Sequence, residues 1–388
     1  MKTLFFLCTM LAGIAHAAPY IPQDGKAVIE QLPRRADATQ SALRSLRAQL
    51  SNNPQDLALA TSLAQRYIAL SRSETDPRYL GYAQAALAPW WQLAAPPAPV
   101  RLLRATILQS THHFPAALQD LDAVIAQQPA NAQAWLTRAT VLTVQGNYDQ
   151  ATASCARLSG LSTQLVTVTC IASVAGMTGR AAKSEQLLNL TLQRSAGTAP
   201  ELEHWALSLL AEMAARRGDA ALAEARFKQA LAQDPRDSYL LGAYSDFLLD
   251  QKRPLEVLKL VRDQQRIDAL LLRQALALQM APGQQAALKA ATAGLAARFH
   301  AALQRGDTVH QREQARFALA LQRDIRGALL LAQQNWAIQK EAADMRVLLE
   351  AAVAARDQAA AKPVLDWIAA HQVEDVALTA LARKAGAL

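Results

Sequence analysis

A chain of 388 residues with 52% apolar but only 5% aromatic residues and a formal charge of +8 has length for two or three ordinary domains, unless internal repeats overrule that count. Ala, Leu and Gln dominate, and β-branched runs are almost absent outside Val166–Val174, so β architectures are excluded and an all-α fold is expected. Beyond the N-terminus no stretch approaches membrane length without charge, so no membrane-spanning helix is expected there.

The first 17 residues read as a signal peptide. Lys2 supplies the positive start, Leu4 to Ile14 the apolar core, and Ala15-His16-Ala17 a cleavage site before Ala18. The apolar run is too short to span a bilayer; the other reading is a plain N-terminal anchor. Cys8 lies inside the apolar core and not at its end, against a lipoprotein. The mature chain, at +7 without Lys2, is expected to be soluble and periplasmic or secreted. Export and the dispersal of Arg34, Arg35, Arg44, Arg47, Arg101, Arg104, Arg216 and Arg217 argue against nucleic acid. They leave a solvated surface, or a weak contact with membrane lipid or anionic polymer.

Residues 18–35 form a polar, Pro-containing arm. Helices follow at 36–50 and 57–70, the second carrying Leu63, Ala64 and Tyr67 on one face. Pro77 opens a helix over 78–91 that Trp90-Trp91 close, and Leu93–Pro97 is a Pro-rich joint, a candidate hinge ending a unit at 36–97. Two copies of one pattern come next, at 99–129 and 132–158. Arg101, His112, Phe114, Ala117 and Leu121 fall 34 residues before Trp135, Gly146, Tyr148, Ala151 and Cys155. Such a period, with two apolar helices per unit, marks a helical-hairpin solenoid.

A third unit pairs Val166–Met177 with Ala181–Leu192 around Gly179-Arg180, and a second joint runs from Ser195 to Pro200. The next hairpin carries Leu207, Leu210, Ala211 and Ala214, then Gly218-Asp219, then Ala223, Phe227 and Ala230, with Pro235 closing. Another begins at Ser238, turns at Lys252-Arg253-Pro254, and completes a regular array over 98–267. From 268 to 388 the pattern loosens. Helices are expected at 270–278 and 284–300, then Phe317, Leu319 and Leu321 leading to Asp324, then a hairpin over Ala342–Ile368, with Val376–Leu388 as a capping helix.

Cys155 and Cys170 remain as an even pair after export. They sit on helices adjacent in sequence, so a disulfide is expected, the alternative being two buried thiols.

These residues resemble the tetratricopeptide repeat (TPR) motif: Trp135, Gly146, Tyr148 and Ala151; Leu210, Gly218, Ala223, Phe227, Ala230 and Pro235; and Leu63, Ala64 and Tyr67. No repeat carries the whole signature, and Arg104 and Arg138 stand where the family places Leu. The resemblance implies a right-handed α-solenoid of about nine helix-turn-helix hairpins and a non-enzymatic scaffold that binds a protein or peptide, here in the cell envelope. A glycan-active or glycan-binding envelope protein on an α-superhelix is the alternative.

Chemical motifs are weak. No Gly-rich phosphate loop, C-x-x-C, H-E-x-x-H or G-x-S-x-G occurs. His112-His113 point apart as helix or turn neighbours, and the i,i+3 pair His310 and Glu313 has no matching second pair for a metal. Glu201 with Glu203, and Glu341 with Asp344, are spaced for paired-carboxylate chemistry no better than chance. No cofactor or metal is expected.

In the family the first helix of each hairpin lines a concave groove. The resemblance maps that groove to Leu102, Thr106 and Gln109, then Gln133, Leu136, Thr140 and Thr143, then Trp205, Ser208, Glu212 and Arg216, then Tyr239, Gly242 and Asp246. Trp205 and Tyr239 are either binding anchors or core residues. The Asn and Lys of carboxylate-clamp relatives are replaced by Thr106, Thr140, Glu212 and Asp246. A mixed, largely uncharged groove suits an extended peptide or a helix.

Overall fold

The computed structural model describes Asp24, residues 38–195 and residues 197–387; the expected signal peptide and nearly all of the arm lie outside them. A single helix, α1 (Ala38–Asn52), precedes the first hairpin, α2 (Leu57–Ser73) and α3 (Arg78–Ala86), with a short α4 (Ala88–Trp91). Pairs follow as α5/α6 (Ala98–Ser110, Phe114–Gln127), α7/α8 (Ala132–Val144, Tyr148–Ala156) and α9/α10 (Gln164–Ala175, Ala181–Arg194). Next come α11/α12 (Pro200–Arg217, Ala220–Gln233), α13/α14 (Ser238–Asp250, Pro254–Leu260) and α15/α16 (Asp268–Met280, Gln285–Gln304). The last are α17/α18 (Gln311–Phe317, Ile325–Ile338), α19/α20 (Ala342–Ala355, Gln358–His371) and α21 (Val376–Gly386). The fold is an α-solenoid of nine hairpins among the described residues.

Local chemistry sets many of the helix starts. Asn131, Asp219, Asp237, Asp324 and Asp357 each accept a backbone N–H of the following first turn, which satisfies an otherwise orphaned donor. Pro89 splits the helix expected over 78–91, because its ring clashes with the preceding turn and it has no N–H; the break falls at Leu87. The β-branched stretch within Val166–Val174 is helical all the same, since α9 is buried on nearly every face. Phe317–Leu321 continues α17 as one π-helical turn over Ala318–Gln322, ended by Arg323 in a left-handed conformation.

The two arginines in leucine slots have a structural reason. Arg104 forms a bidentate pair with buried Asp120, both bonds at 2.7 Å, and also donates to the carbonyls of Trp91 and Leu93. One period later Arg138 bonds Ser154 and Asp122. A charge-assisted clamp thus replaces apolar contact between the two helices. With Arg101 donating to the carbonyl of Pro96, the Pro-rich joint is tied onto α5, unlike the free hinge the composition suggested.

The disulfide is present: Cys155 and Cys170, with Cα atoms 5.5 Å apart, join the end of α8 to α9 within the core. Closing that loop contributes about 3 kcal/mol in the chain-entropy model.

First helices pack on first helices in succession from α5 to α21, and α21 then touches α11. The superhelix therefore closes on itself. One apolar core combines α7–α9 residues such as Leu142, Tyr148, Cys155 and Val174 with Met345, Leu348, Leu349, Ala352, Val364 and Leu378 from the C-terminal unit. The contact runs along the turns between paired helices. His112 Nδ1 accepts from Gln339 (3.3 Å), the Lys340 N–H donates to the Val144 carbonyl (2.7 Å), and the Ala181 N–H donates to Glu374 (2.9 Å). The first hairpin's turn joins in, Thr75 and Ser238 hydroxyls lying 2.8 Å apart. So α21, expected as an end cap, is also an inner wall.

Glycine is required where that seam is tightest. Gly146 has φ +80°, and a Cβ there would overlap the Trp367 ring; Gly179, at φ +67°, faces Gln372 in the same way. Gly160 shares φ +80° but has nothing within 4 Å. Gly160→Ala should therefore cost only the left-handed strain, about 1–2 kcal/mol. Gly146→Ala should add an overpacking cost of about 1–3 kcal/mol. Urea unfolding of the two variants checks this, and equal losses would remove the seam from the account.

Candidate functional site on the inner face

The inner face is built from one stripe of each first helix. On α11, Trp205, Ser208, Glu212 and Arg216 follow at helical spacing, so they share a side. Packing sorts the residues that sequence assigned to the groove. Leu102 sits against the core between α5 and α7, and Leu136 and Trp205 against the core shared with the C-terminal unit. Thr106 and Ser208 are buried and donate their hydroxyls to carbonyls of their own helices. Thr140 and Thr143 do the same, the first exposed and the second half-buried. Gln133 is exposed and donates to Thr137, while Gln109 is half-buried.

Tyr239 is different. Its side chain is 62% exposed although it faces the inside of the solenoid, and its hydroxyl donates to Glu212 Oε1 at 2.8 Å. Burial pushes the Glu212 carboxyl up, with Arg216 and the Tyr239 bond pulling the other way. Glu212 raises the Tyr239 phenol in turn, assisted by the protein walls that surround the hydroxyl, although the ring itself touches water, and by Glu341 at the start of α19. These groups from α11, α13 and α19 thus feel one another across one space. Arg216 does not pair with Glu212 one helical turn away; its guanidinium lies 3.0 Å from the Met177 sulfur.

The inner face is more charged than the sequence suggested. Asp246 takes Arg273 and Arg316, each at 2.6 Å. Burial opposes its charge, yet the two arginines hold the carboxyl well below its usual range. Asp246 is accordingly occupied within the fold. Gly242, beside it, lets the Arg273 side chain lie across α13 and donate to its carbonyl at 3.2 Å. Arg312 bonds Glu341 (3.0 Å) and Asp344 (3.3 Å), and Arg346 clamps Asp250 at 2.7 Å.

These partners on α15, α17 and α19 were missed in sequence because the repeat pattern loosens there. Placing Arg273, Arg312 and Arg346 in first-helix slots was the one available signal. Glu341 and Asp344, weighed as a catalytic pair, instead form the capping box of α19. His112 stacks on Phe114, His113 Nδ1 lies 3.0 Å from the Thr111 hydroxyl, and Glu313 pairs with Arg312. Among the described residues no three His, Cys, Asp or Glu side chains converge as a metal site, and no helix is long and apolar enough to cross a membrane.

The fold is TPR-like. Nine hairpins among the described residues and the 34-residue period carry that likeness. No family model matches the chain, and no curated protein sequence matches it. Solved structures with partial likeness include yeast Tom70, at 15% identity over 83% of this chain and 59% of that one, with a TM-score of 0.38. Another is the APC/C heterotetramer Cut9–Hcn1, at 12% identity over 89% of this chain and 52% of that one, also 0.38. Human IFIT1, solved as a dimer with m7Gppp-AAAA, has 13% identity over 90% and 87%, with a TM-score of 0.41. The chain thus spans little more than half the length of the first two.

Asp344 gives this face a pH signature. Burial raises its carboxyl from 3.8 to about 6, against the pull of Arg312. A pKa raised on folding means stability that is present below about pH 4 and lost as pH rises through about 6. Asp344→Asn keeps the shape without the charge. Its melting temperature relative to the parent should therefore rise between about pH 4 and pH 7, as measured by circular dichroism. A difference that stays flat with pH would contradict the assignment.

Proposed function

We propose that the chain is an exported, non-enzymatic scaffold that holds a protein or peptide partner on its inner face. Tyr239, Glu212 and Arg216 are the contacts, and the work served is assembly or maintenance of the cell envelope. The observation that carries this reading is the exposure of the Tyr239 ring on an inner surface whose other aromatic, Trp205, is packed against the core. An aromatic ring left in water beside a polar pair is the kind of group that gains most from burial by a partner. Arg216 adds a guanidinium with no carboxylate within salt-bridge distance among the described residues, free to meet a partner's acceptor. Trp205 is left out of the contact set because it is half-buried against the core.

Pull-down from an envelope extract tests the reading. Tyr239→Ala with Arg216→Ala should lose, by about tenfold, a partner that the parent chain retains, a loss of about 1.4 kcal/mol. Equal recovery by both proteins would refute the inner-face assignment. Binding through the dispersed basic residues to anionic lipid or polymer would instead fade steeply with salt and ignore these two substitutions.

Residues 1–17 are proposed as a cleaved signal. The intact mass of protein recovered after expression in an exporting host should start at Ala18; a mass that includes Met1–Ala17 would overturn the export reading.

A further inference from the structure

On the outside of the solenoid, α10 and α12 flank a trough whose floor is Leu207 and Leu210 of α11. It consists of two recesses of about 340 Å³ and about 190 Å³ that both include Asn189 and Arg226. Three amides, Gln186, Asn189 and Gln193, follow one another along one stripe of α10, and Gln229 faces them from α12. None of these four side chains makes a hydrogen bond among the described residues. Arg226 is the opposite case, locked by bonds to buried Glu185 (2.6 Å) and to the Leu210 carbonyl (3.0 Å). Beside the amide stripe, Leu187 and Leu190 stand 49% and 40% exposed.

We propose that this trough binds an extended peptide segment of a partner protein, on the face opposite Glu212 and Arg216. An amide side chain both donates and accepts, as does each residue of a peptide backbone, so a row of free amides matches backbone better than any single-sign ligand. The spacing agrees. Residues four apart on a helix rise about 6 Å, and two residues of extended chain cover about 6.6 Å. Asn189 and Gln193 therefore meet successive same-side groups of one strand. Other ligand classes fit less well. No aromatic ring lines the trough, so a sugar has nothing to stack on. Arg217 and Arg226 both bond Glu185, and Glu203 lines the larger recess as a second carboxylate, so the trough carries no net positive charge for an anion. The chain becomes a two-faced scaffold, with α11 as the shared wall.

A random-peptide display library selected on the full mature chain tests this. The selected peptides are then measured against three variants: Asn189→Ala with Gln193→Ala and Gln229→Ala; Gln193→Trp alone, which fills the trough from an exposed position; and Tyr239→Ala with Arg216→Ala. Trough-binding peptides should weaken about tenfold or more on the first, from two or three lost backbone bonds, and as much on the second, from the filled trough, and be unchanged on the third. Melting temperatures equal to the parent's show that the variants fold. Peptides lost only on the third variant would support the inner face and overturn the trough. Peptides indifferent to Gln193→Trp, or no enrichment at all, would also overturn it.

Discussion

Everything in this molecule depends on the seam where the superhelix meets itself. In an open solenoid each hairpin touches only its neighbours, and stability is a sum of local terms. Here the turns after α5, α7, α9 and α11 carry the C-terminal unit, from Gln339 on His112 to Val376 near Gly218. Tyr148 shows the intimacy of that contact. Its ring packs edge-on against Trp367 and His371, its hydroxyl reaches the Lys340 carbonyl, and burial lifts its phenol to about 12. A repeat chain closed this way gains long-range contacts and gives up the freedom to stretch.

Closure explains the inner charges. Drawing α15, α17 and α19 round toward α11 and α13 takes carboxylates and guanidiniums from water together. The cost is offset only if they meet with good geometry. Arg346 of α19 on Asp250 of α13, and Arg316 of α17 joining Arg273 on Asp246 of α13, are those meetings. What they leave over is informative: Tyr239 in water, Glu212 holding it, and Arg216 against a sulfur. The outer face leaves a different residue of the same kind, the unbonded amides of α10 beside an arginine that is fully engaged.

For the candidate site, sequence was informative about stripe and less so about surroundings. Reading Trp205, Ser208, Glu212 and Arg216 as one side of α11 needs only helical spacing, and the structure has them so. It places Ser208 and Trp205 in packed surroundings and Glu212 and Arg216 at the inner space, because the covering elements, α19 and α21, lie more than a hundred residues away. Tyr239 and Trp205 looked equivalent as aromatics in neighbouring repeats. They part company because Trp205 packs against the core that α7–α9 share with the C-terminal unit, whereas Tyr239 stays exposed.

Periodicity and composition by themselves determined that the chain is helical, that its helices pair at a 34-residue repeat, and that Cys155 and Cys170 fall on adjacent helices. Those are local properties: a helix and its turn are chosen by residues within a few positions of each other. Tertiary structure alone decided that Gly146 and Gly179 are close-approach residues as well as turns, that Arg346 of α19 finds Asp250 of α13, and that the C-terminal unit packs back against α7–α9. Each of these depends on how a small rotation per hairpin accumulates over several hairpins, and no single repeat encodes that sum in its own residues.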